Sequence, residues 1–424
     1  MKLRYRDGNQ IALLNSGREY FPALLTALQN AQHEIFLETY IFSGDATATA
    51  VVERLCAAAA RGVRVQVLVD GFGARDMPES YRERLARSGV RLQEYRRPVL
   101  WQPVRGLRRM HRKLAVIDGA PSEAAGAGGA LAASAVAGDA PAPGALAASA
   151  VAFVGGINII DDWNTPDEVP PRFDYAVAVQ GPLVADIRAA AWHLWKVTAL
   201  ARLRAPLVPR QPARRRRGAA PVNAATAGGM RAALAVRDNL LHRTAIEAAY
   251  LDAIGGARRH ILLACGYFLP SRRFFRVLRT AARRGVAVTV LLQGPSDHPL
   301  MKAAAQSLYR RLLGSGINVV EYSKSFLHAK VAVIDDSWAT VGSSNIDPFS
   351  LLLAREANLV VADRAFAQQL RASLEGAIAA GGTRVTSASL AQAGWLARSV
   401  QWLAYRFARI VVDLVTPNGA RKLA

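Results

Sequence analysis

One motif occurs twice in this chain and constrains its fold more than any other feature. It comprises a histidine, a lysine two residues later, four apolar residues, an aspartate and, further on, a glycine-containing turn that ends in asparagine. The first copy spans residues 111–118 and ends at Asn158; the second spans 328–335 and ends at Asn345. Because the apolar middles are rich in β-branched residues, each copy predicts a buried strand. The chain is therefore expected to fold as two similar halves.

Strand geometry predicts what each copy contributes to a site. Side chains alternate along a strand, so His111 and Lys113 share one face, as do His328 and Lys330. The aspartate lies seven residues after the histidine and is expected on the opposite face, where it would hold the turn geometry. A single His-x-Lys is more often an exposed strand with two polar residues, but a second copy with the same spacing favours a site. Two imidazoles and two ammonium groups together suit cleavage of a phosphodiester without a metal.

The repeat extends beyond the motif. The segment AARGVRVQVLVDG near 59–71 matches AARRGVAVTVLLQG near 281–294, and SGVRLQEY at 88–95 matches SGINVVEY at 315–322. Short apolar strands alternate with helical patterns in both halves. This alternation predicts an α/β fold in which each lobe has a mixed β-sheet flanked by helices.

The first copy carries an insertion of about thirty residues after its aspartate, which we place at 121–150. The nonapeptide GALAASAVA begins at Gly129 and again at Gly144, and the segment is rich in alanine and glycine. Its acidic and proline residues argue against a membrane span. We expect a protruding extension of a hairpin that leaves the chemistry unaffected.

Changes in composition predict the domain boundaries. Prolines and a run of four arginines break the periodicity between the halves. We predict an N-terminal lobe at 1–202, a basic Pro-rich linker at 203–229, a C-terminal lobe at 230–385, and an amphipathic C-terminal helix and tail at 386–424.

The net charge of +22 at pH 7 and the pI near 10.9 predict an anionic partner or surface. Many arginines, including the runs at 214–217 and within 272–284, are typical of solvated helix faces or linkers. A further cluster leads directly into the first motif and is expected to gather phosphate-rich substrate. Its members are Arg105, Arg108, Arg109 and Arg112.

Few other residue types suggest chemistry. Cys56 and Cys265 lie in apolar segments, which predicts buried thiols in a reducing compartment. The sequence has no HExxH and no Cys/His cluster, so neither a metal nor a cofactor is expected. The N-terminal MKLRYRDGNQ is polar, so neither a signal peptide nor an N-terminal anchor is expected.

The segment 395–415 predicts an apolar helix with a thin polar stripe and two tryptophans. Such a helix suits the lipid–water interface, although a terminal helix docked on the lobes would show the same pattern. The stripe falls in one narrow arc and contains Arg398, Arg406, Arg409 and Asp413.

The doubled motif resembles that of the phospholipase D superfamily, and the chain is similar to bacterial cardiolipin synthases of the type B branch, which lacks N-terminal membrane spans. The resemblance covers nearly the whole chain except the insertion, and it implies two pseudo-symmetric phospholipase D-like lobes that build one active site. It rests on FLETYIF at 36–42, RRMHRKLAVID at 108–118, FVGGIN at 153–158, FDYAVAVQGP at 173–182 and LHAKVAVIDDSWATVGSSNIDP at 327–348.

The resemblance implies a phosphatidyltransferase that joins two phosphatidylglycerol molecules to give cardiolipin and glycerol through a phosphohistidine. One imidazole attacks phosphorus, and the other protonates the departing oxygen and then takes a proton from the incoming alcohol. We take His111 as the nucleophile and His328 as the acid and base, although the pseudo-symmetry leaves the sequence silent on this choice.

The expected site residues form two groups. By resemblance, Asp174 and Glu356 each orient one histidine, and the lysines and asparagines donate to phosphoryl oxygens. The motif residues expected to be catalytic are His111, Lys113, Asp118, His328, Lys330 and Asp335. The residues expected to bind or orient the phosphate are Asn158, Asn345, Ser343, Asp174 and Glu356.

The expected partners are anionic phospholipids, phosphatidylglycerol and cardiolipin, at a membrane surface. We expect a peripheral protein on the cytoplasmic side of a bacterial cell membrane, with one chain sufficient for one site and no nucleic acid partner. A phospholipase D-type phosphodiesterase or nuclease could use the same motif, but the chain lacks the aromatic–basic alternation typical of single-strand grooves. A non-enzymatic membrane-binding protein is disfavoured because both motifs are intact.

Overall fold

Strands alternate with helices along both halves of the chain, as the sequence predicts. A computed structural model describes residues 3–95, 109–119, 150–165, 171–202, 229–238, 242–296, 299–347, 354–392, 394 and 399–406. The strands are β1 (Arg6–Asn15), β2 (Glu34–Thr39), β3 (Arg64–Asp70), β4 (Arg91–Tyr95), β5 (Leu114–Ile117), β6 (Val151–Gly155), β7 (Arg172–Phe173), β8 (Tyr175–Gln180), β9 (Met230–Arg237), β10 (His260–Cys265), β11 (Ala287–Gln293), β12 (Asn318–Tyr322), β13 (Phe326–Leu327), β14 (Lys330–Ile334), β15 (Trp338–Gly342), β16 (Glu356–Ala362) and β17 (Gly382–Arg384). The helices are α1 (Ser16–Asn30), α2 (Ala46–Ala60), α3 (Glu79–Arg87), α4 (Leu183–Arg202), α5 (Ala245–Gly256), α6 (Arg272–Arg283), α7 (Pro299–Gln306), α8 (Tyr309–Leu313), α9 (Arg364–Gly381) and α10 (Ser387–Ala391).

The strand order repeats in the two halves. Outward from the middle, the first half runs β1-β8-β6-β5-β2-β3-β4 and the second runs β9-β16-β15-β14-β10-β11-β12, with β17 added at the second edge. In each half, the three outer repeated strands are parallel and the motif strand opens an antiparallel hairpin. The predicted mixed sheet in each lobe is therefore confirmed.

The two halves share one sheet, which the sequence does not predict. Strands β1 and β9 pair antiparallel, with Arg6 opposite Ala232 and Asn9 opposite Met230, so fifteen of the described strands form a continuous sheet. Helices α4 and α9 cover one face, where a single apolar core contains residues of both halves. The opposite face has one core in each half.

The two motifs lie at corresponding places in this sheet. Strands β5 and β14 are buried along their whole length, which accounts for their unbroken apolar sequences. Each hairpin brings the motif histidine at its start beside the turn that follows its second strand. Strands β7 and β13, one from each half, form a separate two-stranded parallel sheet that joins the halves.

The described part of the C-terminal segment packs on the second half. Residues 399–406 are helical, and Ala404 is buried in the apolar core of that half. Other residues of this helical segment, Val400, Trp402 and Leu403, are each exposed by more than half of their surface. The burial of Ala404 agrees with a helix docked on the lobes, whereas contact with the lipid–water interface stays a prediction. Residues 395–398 and 407–415 lie outside the described residues.

Two further sequence predictions fall outside the described residues, namely the insertion except for Ala150 and the linker except for Gly229. Within the described ranges, no helix combines the length and apolar character needed to cross a membrane.

Candidate active site

Each motif histidine pairs with a carboxylate from the other half of the chain. His111 Nδ1 lies 3.0 Å from Glu356 Oε1, and His328 Nδ1 lies 2.6 Å from Asp174 Oδ2. An ionised carboxylate only accepts hydrogen bonds, so each Nδ1 carries the proton and each Nε2 keeps its lone pair. The sequence predicts a carboxylate for each histidine, and the structure shows that the pairing is crossed.

Backbone hydrogen bonds hold this crossed arrangement in place. The His111 amide donates to the carbonyl of Arg355 at 2.9 Å, directly before Glu356, and Met110 forms a bridge with Arg355. In the other half, the His328 amide donates to the carbonyl of Phe173, directly before Asp174, at 2.9 Å. Each histidine is therefore fixed by main chain as well as side chain.

The motif lysines are buried beside the histidines. Lys113 Nζ donates to the His111 carbonyl at 2.8 Å. Lys330 Nζ donates to the His328 carbonyl and lies 3.4 Å from Asp174 Oδ2. Both side chains are almost fully covered, which keeps their ammonium groups close to the imidazoles.

The turns after β6 and β15 close the site on both sides. Asn158 Oδ1 accepts the Ile41 amide at 3.0 Å, and Asn345 Oδ1 lies 3.7 Å from the thiol sulfur of Cys265. These contacts engage the amide oxygens. Among the described residues, neither amide NH₂ group has a protein acceptor, so both are available to an incoming oxyanion.

The two turns differ at two positions, one of which contacts a site carboxylate. Ser343 Oγ donates to Glu356 Oε2 and accepts the Ala357 amide at 3.0 Å. The corresponding position in the first half is Gly156, where an added Cβ would lie 2.3 Å from Asp174 Oδ1. The first half thus needs a glycine where the second uses a hydroxyl to hold the carboxylate.

The motif aspartates lie away from the histidines, which corrects their assignment as catalytic residues. Asp118 accepts the backbone amides of Gln32, His33 and Glu34 at 2.7–3.0 Å. Asp335 accepts the amides of residues 258–260 at 2.7–3.0 Å. Both adopt positive φ, 51° and 53°, in the turn after the motif strand. Their position agrees with the opposite-face prediction, and they act as turn-positioning residues.

Burial determines the charges in the site. It lowers the pKa of His111, and it lowers the pKa of His328 to about 4, because the carboxylates oppose the loss of solvent only in part. It also lowers the pKa of Lys113 to about 7. Burial alone would raise the pKa of Asp174, but the nearby Lys330 and His328 hold it below its ordinary value.

Glu356 is governed in the same way, since the effect of His111 and Lys113 outweighs burial and lowers its pKa. At neutral pH the site therefore holds two carboxylates, two neutral imidazoles and two lysines whose pKa values burial lowers. An anion entering this site favours protonation of its neighbours. Within the described ranges, no cluster of three metal-ligating side chains occurs.

Comparisons with known proteins agree with this geometry. A family model described as cardiolipin synthase, PLD-like domain matches residues 24–186 and 250–378. Proteins named cardiolipin synthase B from Escherichia coli K12 and Salmonella typhi are 36% and 37% identical, over 98% of this chain and 91% of each relative. This chain belongs to the cardiolipin synthase family of phospholipase D-like proteins.

Solved structures support the fold of this family member. The crystal structure of phosphatidylserine synthase from Haemophilus influenzae Rd KW20 aligns with a TM-score of 0.62 at 14% identity, over 98% of this chain and 96% of that chain. Polyphosphate kinase from Porphyromonas gingivalis aligns with a TM-score of 0.51 at 16% identity, over 87% of this chain and 50% of that chain.

One predicted substrate contact of this cardiolipin synthase family member is wrong. Arg112 is 2% exposed, and its guanidinium forms a bidentate pair with Glu38 on β2. Arg109 lies over the ring of Phe72 at 4.5 Å, while residues 105 and 108 are outside the described ranges. The alternation of side chains already places Arg112 on the face opposite His111 and Lys113.

Sequence reasoning also missed Tyr40 as a site residue. Its ring meets the His111 ring edge-on at 4.9 Å between centroids, and Lys113 Nζ lies 5.4 Å from the ring centre. Tyr40 lies within the FLETYIF segment, which was noted only as part of the resemblance. Cys265 is buried, as predicted, and burial raises the pKa of its thiol to about 12, so it is unreactive.

Proposed function

We propose that this chain transfers a phosphatidyl group between two phosphatidylglycerol molecules, giving cardiolipin and glycerol. The observation that carries the proposal is the pair of crossed histidine–carboxylate contacts beside two buried lysines. The relatives named cardiolipin synthase B, which align over nearly the whole chain, support the substrate class. The phosphatidylserine synthase structure contributes the fold alone.

The chemistry proceeds in two displacements. The bound anionic phosphodiester favours protonation of one histidine, which enters the reaction as an imidazolium with a proton on each nitrogen. Nε2 of the other, neutral histidine attacks phosphorus, the phosphorus–oxygen bond to glycerol breaks, and the second histidine gives its Nε2 proton to the departing oxygen. The terminal hydroxyl of a second phosphatidylglycerol then attacks phosphorus and the phosphorus–nitrogen bond breaks. The second histidine takes the hydroxyl proton at Nε2, which restores one neutral imidazole and one imidazolium.

The donors around the phosphate stabilise its developing charge. Lys113, Lys330 and the NH₂ groups of Asn158 and Asn345 serve the phosphoryl oxygens in this proposal. Asp174 and Glu356 orient the imidazoles and stabilise whichever becomes charged, and Ser343 holds Glu356. The burial of both lysines and both carboxylates strengthens these interactions.

The roles of the two histidines require a choice that the sequence does not make. We assigned His111 as the nucleophile, whereas the low pKa of His328, about 4, favours His328 as the neutral attacking group. Peptide mapping of the phosphohistidine, trapped by rapid denaturation at alkaline pH during turnover, decides between them, because the phosphorus–nitrogen bond is stable to base and labile in acid. Phosphate on the 328 peptide would reverse our assignment.

We further propose that the protein acts as a peripheral membrane protein on the cytoplasmic side of the bacterial membrane. The charge of +22 and the exposed Val400, Trp402 and Leu403 support contact with anionic lipids. One chain suffices for one site because both motifs contribute to it. The boundaries 1–202, 203–229, 230–385 and 386–424 remain our proposal for its domains.

Incubation with headgroup-labelled phosphatidylglycerol in mixed micelles tests the function. We expect labelled cardiolipin and free labelled glycerol in equal amounts, and neither product with the His111→Ala variant. Phosphatidic acid as the sole lipid product would instead show a hydrolase. Cleavage of a single-stranded oligonucleotide without any lipid product would favour the nuclease alternative.

A further inference from the structure

A basic groove lies in the helical layer of the second half. Helices α6 and α8 and the helical segment 399–406 form its walls, and it encloses a cavity of about 190 Å³. No hydrogen bond joins its lining residues to His328 or Lys330. Four guanidinium groups and two aromatic rings line it: those of Arg272, Arg276, Arg279, Arg311, Phe275 and Tyr405.

The four arginines of the groove lack acidic partners in the described part of the chain. Arg311 lies over the ring of Phe275 at 4.9 Å, which positions its charge without neutralising it. Arg279 is half-buried, and its Nε is fully covered without a hydrogen-bond acceptor. A buried donor without an acceptor costs free energy, which an anion in the groove would offset.

The many like charges of α6 also lower the stability of this helix. Five of its twelve residues are arginine and none is acidic. Arg272 stands at the positive end of the helix dipole, and Arg276 lies one turn from both Arg272 and Arg279, so like charges repel. Charge repulsion of this kind is expected at functional sites, where a bound ligand supplies the compensating negative charge.

We propose that this groove binds the phosphate of an anionic phospholipid that is not being converted, and so holds the enzyme on the membrane. The segment 399–406 borders the groove through Tyr405 and exposes Val400, Trp402 and Leu403. Guanidinium groups beside exposed apolar side chains match a headgroup phosphate above its acyl chains. A nucleic acid would use the arginines but leave the apolar side chains in water.

The groove lies toward the same end of the strands as the active site. Strand β10 ends at Cys265, which pairs with Lys330 at the start of β14, and α6 begins at Arg272 soon afterwards. A lipid bound at the beginning of α6 therefore turns this end of the strands, and with it the active site, toward the bilayer. This inference rests on the proposed function in that the substrate is itself a membrane lipid.

Vesicle flotation of the full chain tests the site. The groove variant carries Arg276→Gln and Arg279→Gln, and the matched control carries Arg18→Gln and Arg54→Gln, which removes the same charge from exposed, unpaired helix positions of the first half. Binding is measured to neutral phosphatidylcholine vesicles and to vesicles that also contain phosphatidylglycerol, with His111→Ala in every chain to prevent turnover. Transfer in mixed micelles is measured with His111 intact.

We expect the groove variant to bind anionic vesicles about tenfold or more weakly, since each basic residue at an anionic surface contributes about a factor of five. The control should lose less than about threefold because its arginines lie away from the groove. Both variants should keep micellar transfer, and the groove variant should melt at the same or a higher temperature because repulsion within α6 is relieved.

Equal losses in the groove variant and the control would overturn the proposal in favour of diffuse attraction. Loss of micellar transfer in the groove variant would assign these arginines to the active site instead. Unchanged vesicle binding with lost oligonucleotide binding would replace the lipid by a nucleic acid. Absence of micellar transfer in the unsubstituted chain would refute the proposed function. The vesicle comparison would still test lipid binding by the groove, because it does not depend on turnover.

Discussion

At the scale of single residues, the crossed contacts are the main feature of the site. His111 and Glu356 are 245 positions apart in the chain, and His328 and Asp174 are 154 apart. Each imidazole is oriented by a group of the other half, so neither half contains a complete catalytic pair. The difference between Gly156 and Ser343 shows that the two halves are no longer equivalent.

Replacement of either histidine tests whether both belong to one site. His111→Ala and His328→Ala should each lower transfer roughly a thousandfold or more, and the double variant should lose little beyond that, because the two act as a unit. His33→Ala, at an exposed position, serves as the control. Activity of either single variant within tenfold of the parent would exclude a shared mechanism.

Binding of an anion should be accompanied by proton uptake. In the empty site the pKa of Lys113 is lowered to about 7 and that of His328 to about 4, and a buried anion raises both. Above pH 7 protons therefore enter with the ligand, and affinity falls as the pH rises. Calorimetry of sulfate binding in two buffers with different ionisation enthalpies measures this uptake. Identical apparent enthalpies in the two buffers would contradict it.

The sequence predicted most of the site residues but not which carboxylate pairs with which histidine. Two copies of one spacing identified His111, Lys113, His328 and Lys330, because strand alternation is a local property. The pairing with Glu356 and Asp174 is a contact between distant segments, and a pseudo-symmetric sequence is compatible with either pairing. The error at Arg112 arose from treating neighbouring basic residues as one surface, although alternation separates it from the motif face.

At the scale of elements, the motif hairpins explain where an insertion is tolerated. Ile117 pairs with Val151 across the first hairpin as Ile334 pairs with Trp338 across the second. The insertion therefore joins the hairpin at the end opposite the histidines. Ile117 and Val151, which lie on either side of the insertion in the sequence, are held together by the β5–β6 ladder.

Deletion of 121–150 should leave the transfer rate nearly unchanged. The deletion restores the spacing of the second motif, and since loop-closure entropy depends only weakly on length, the free energy of unfolding should change by only about 1 kcal/mol. Deletion of 129–143, which removes one copy of the repeated nonapeptide, is the intermediate control. A folded 121–150 deletion that has lost transfer would show that the insertion controls access to the site.

At the scale of the whole molecule, the halves are joined by more than the linker. They share the β1–β9 ladder and one apolar core, and Ser373 on α9 is hydrogen-bonded to both Tyr175 and Asn15. The sequence could not predict this continuous sheet, because β1 and β9 look like ordinary strands and their pairing spans the whole first half.

A chain divided in the linker should therefore still assemble. Fragments 1–217 and 218–424, produced together, are expected to copurify and to transfer phosphatidyl groups, because the shared core and the crossed pairs do not need a covalent link. Each fragment alone should be inactive and prone to aggregate through its uncovered strand edge. The same pair with His328→Ala is the control. Activity of one fragment by itself would refute the crossed site.

The crossed pairs also have a consequence for inheritance. A substitution that shifts Glu356 disables the histidine encoded in the other half of the gene. The substitutions that each half tolerates therefore depend on the sequence of the other half. A hybrid gene that joins the first half of one relative to the second half of another inherits each histidine without the carboxylate that was selected beside it. Compatible halves should consequently be inherited together, even though each also has an apolar core of its own on the opposite face of the sheet.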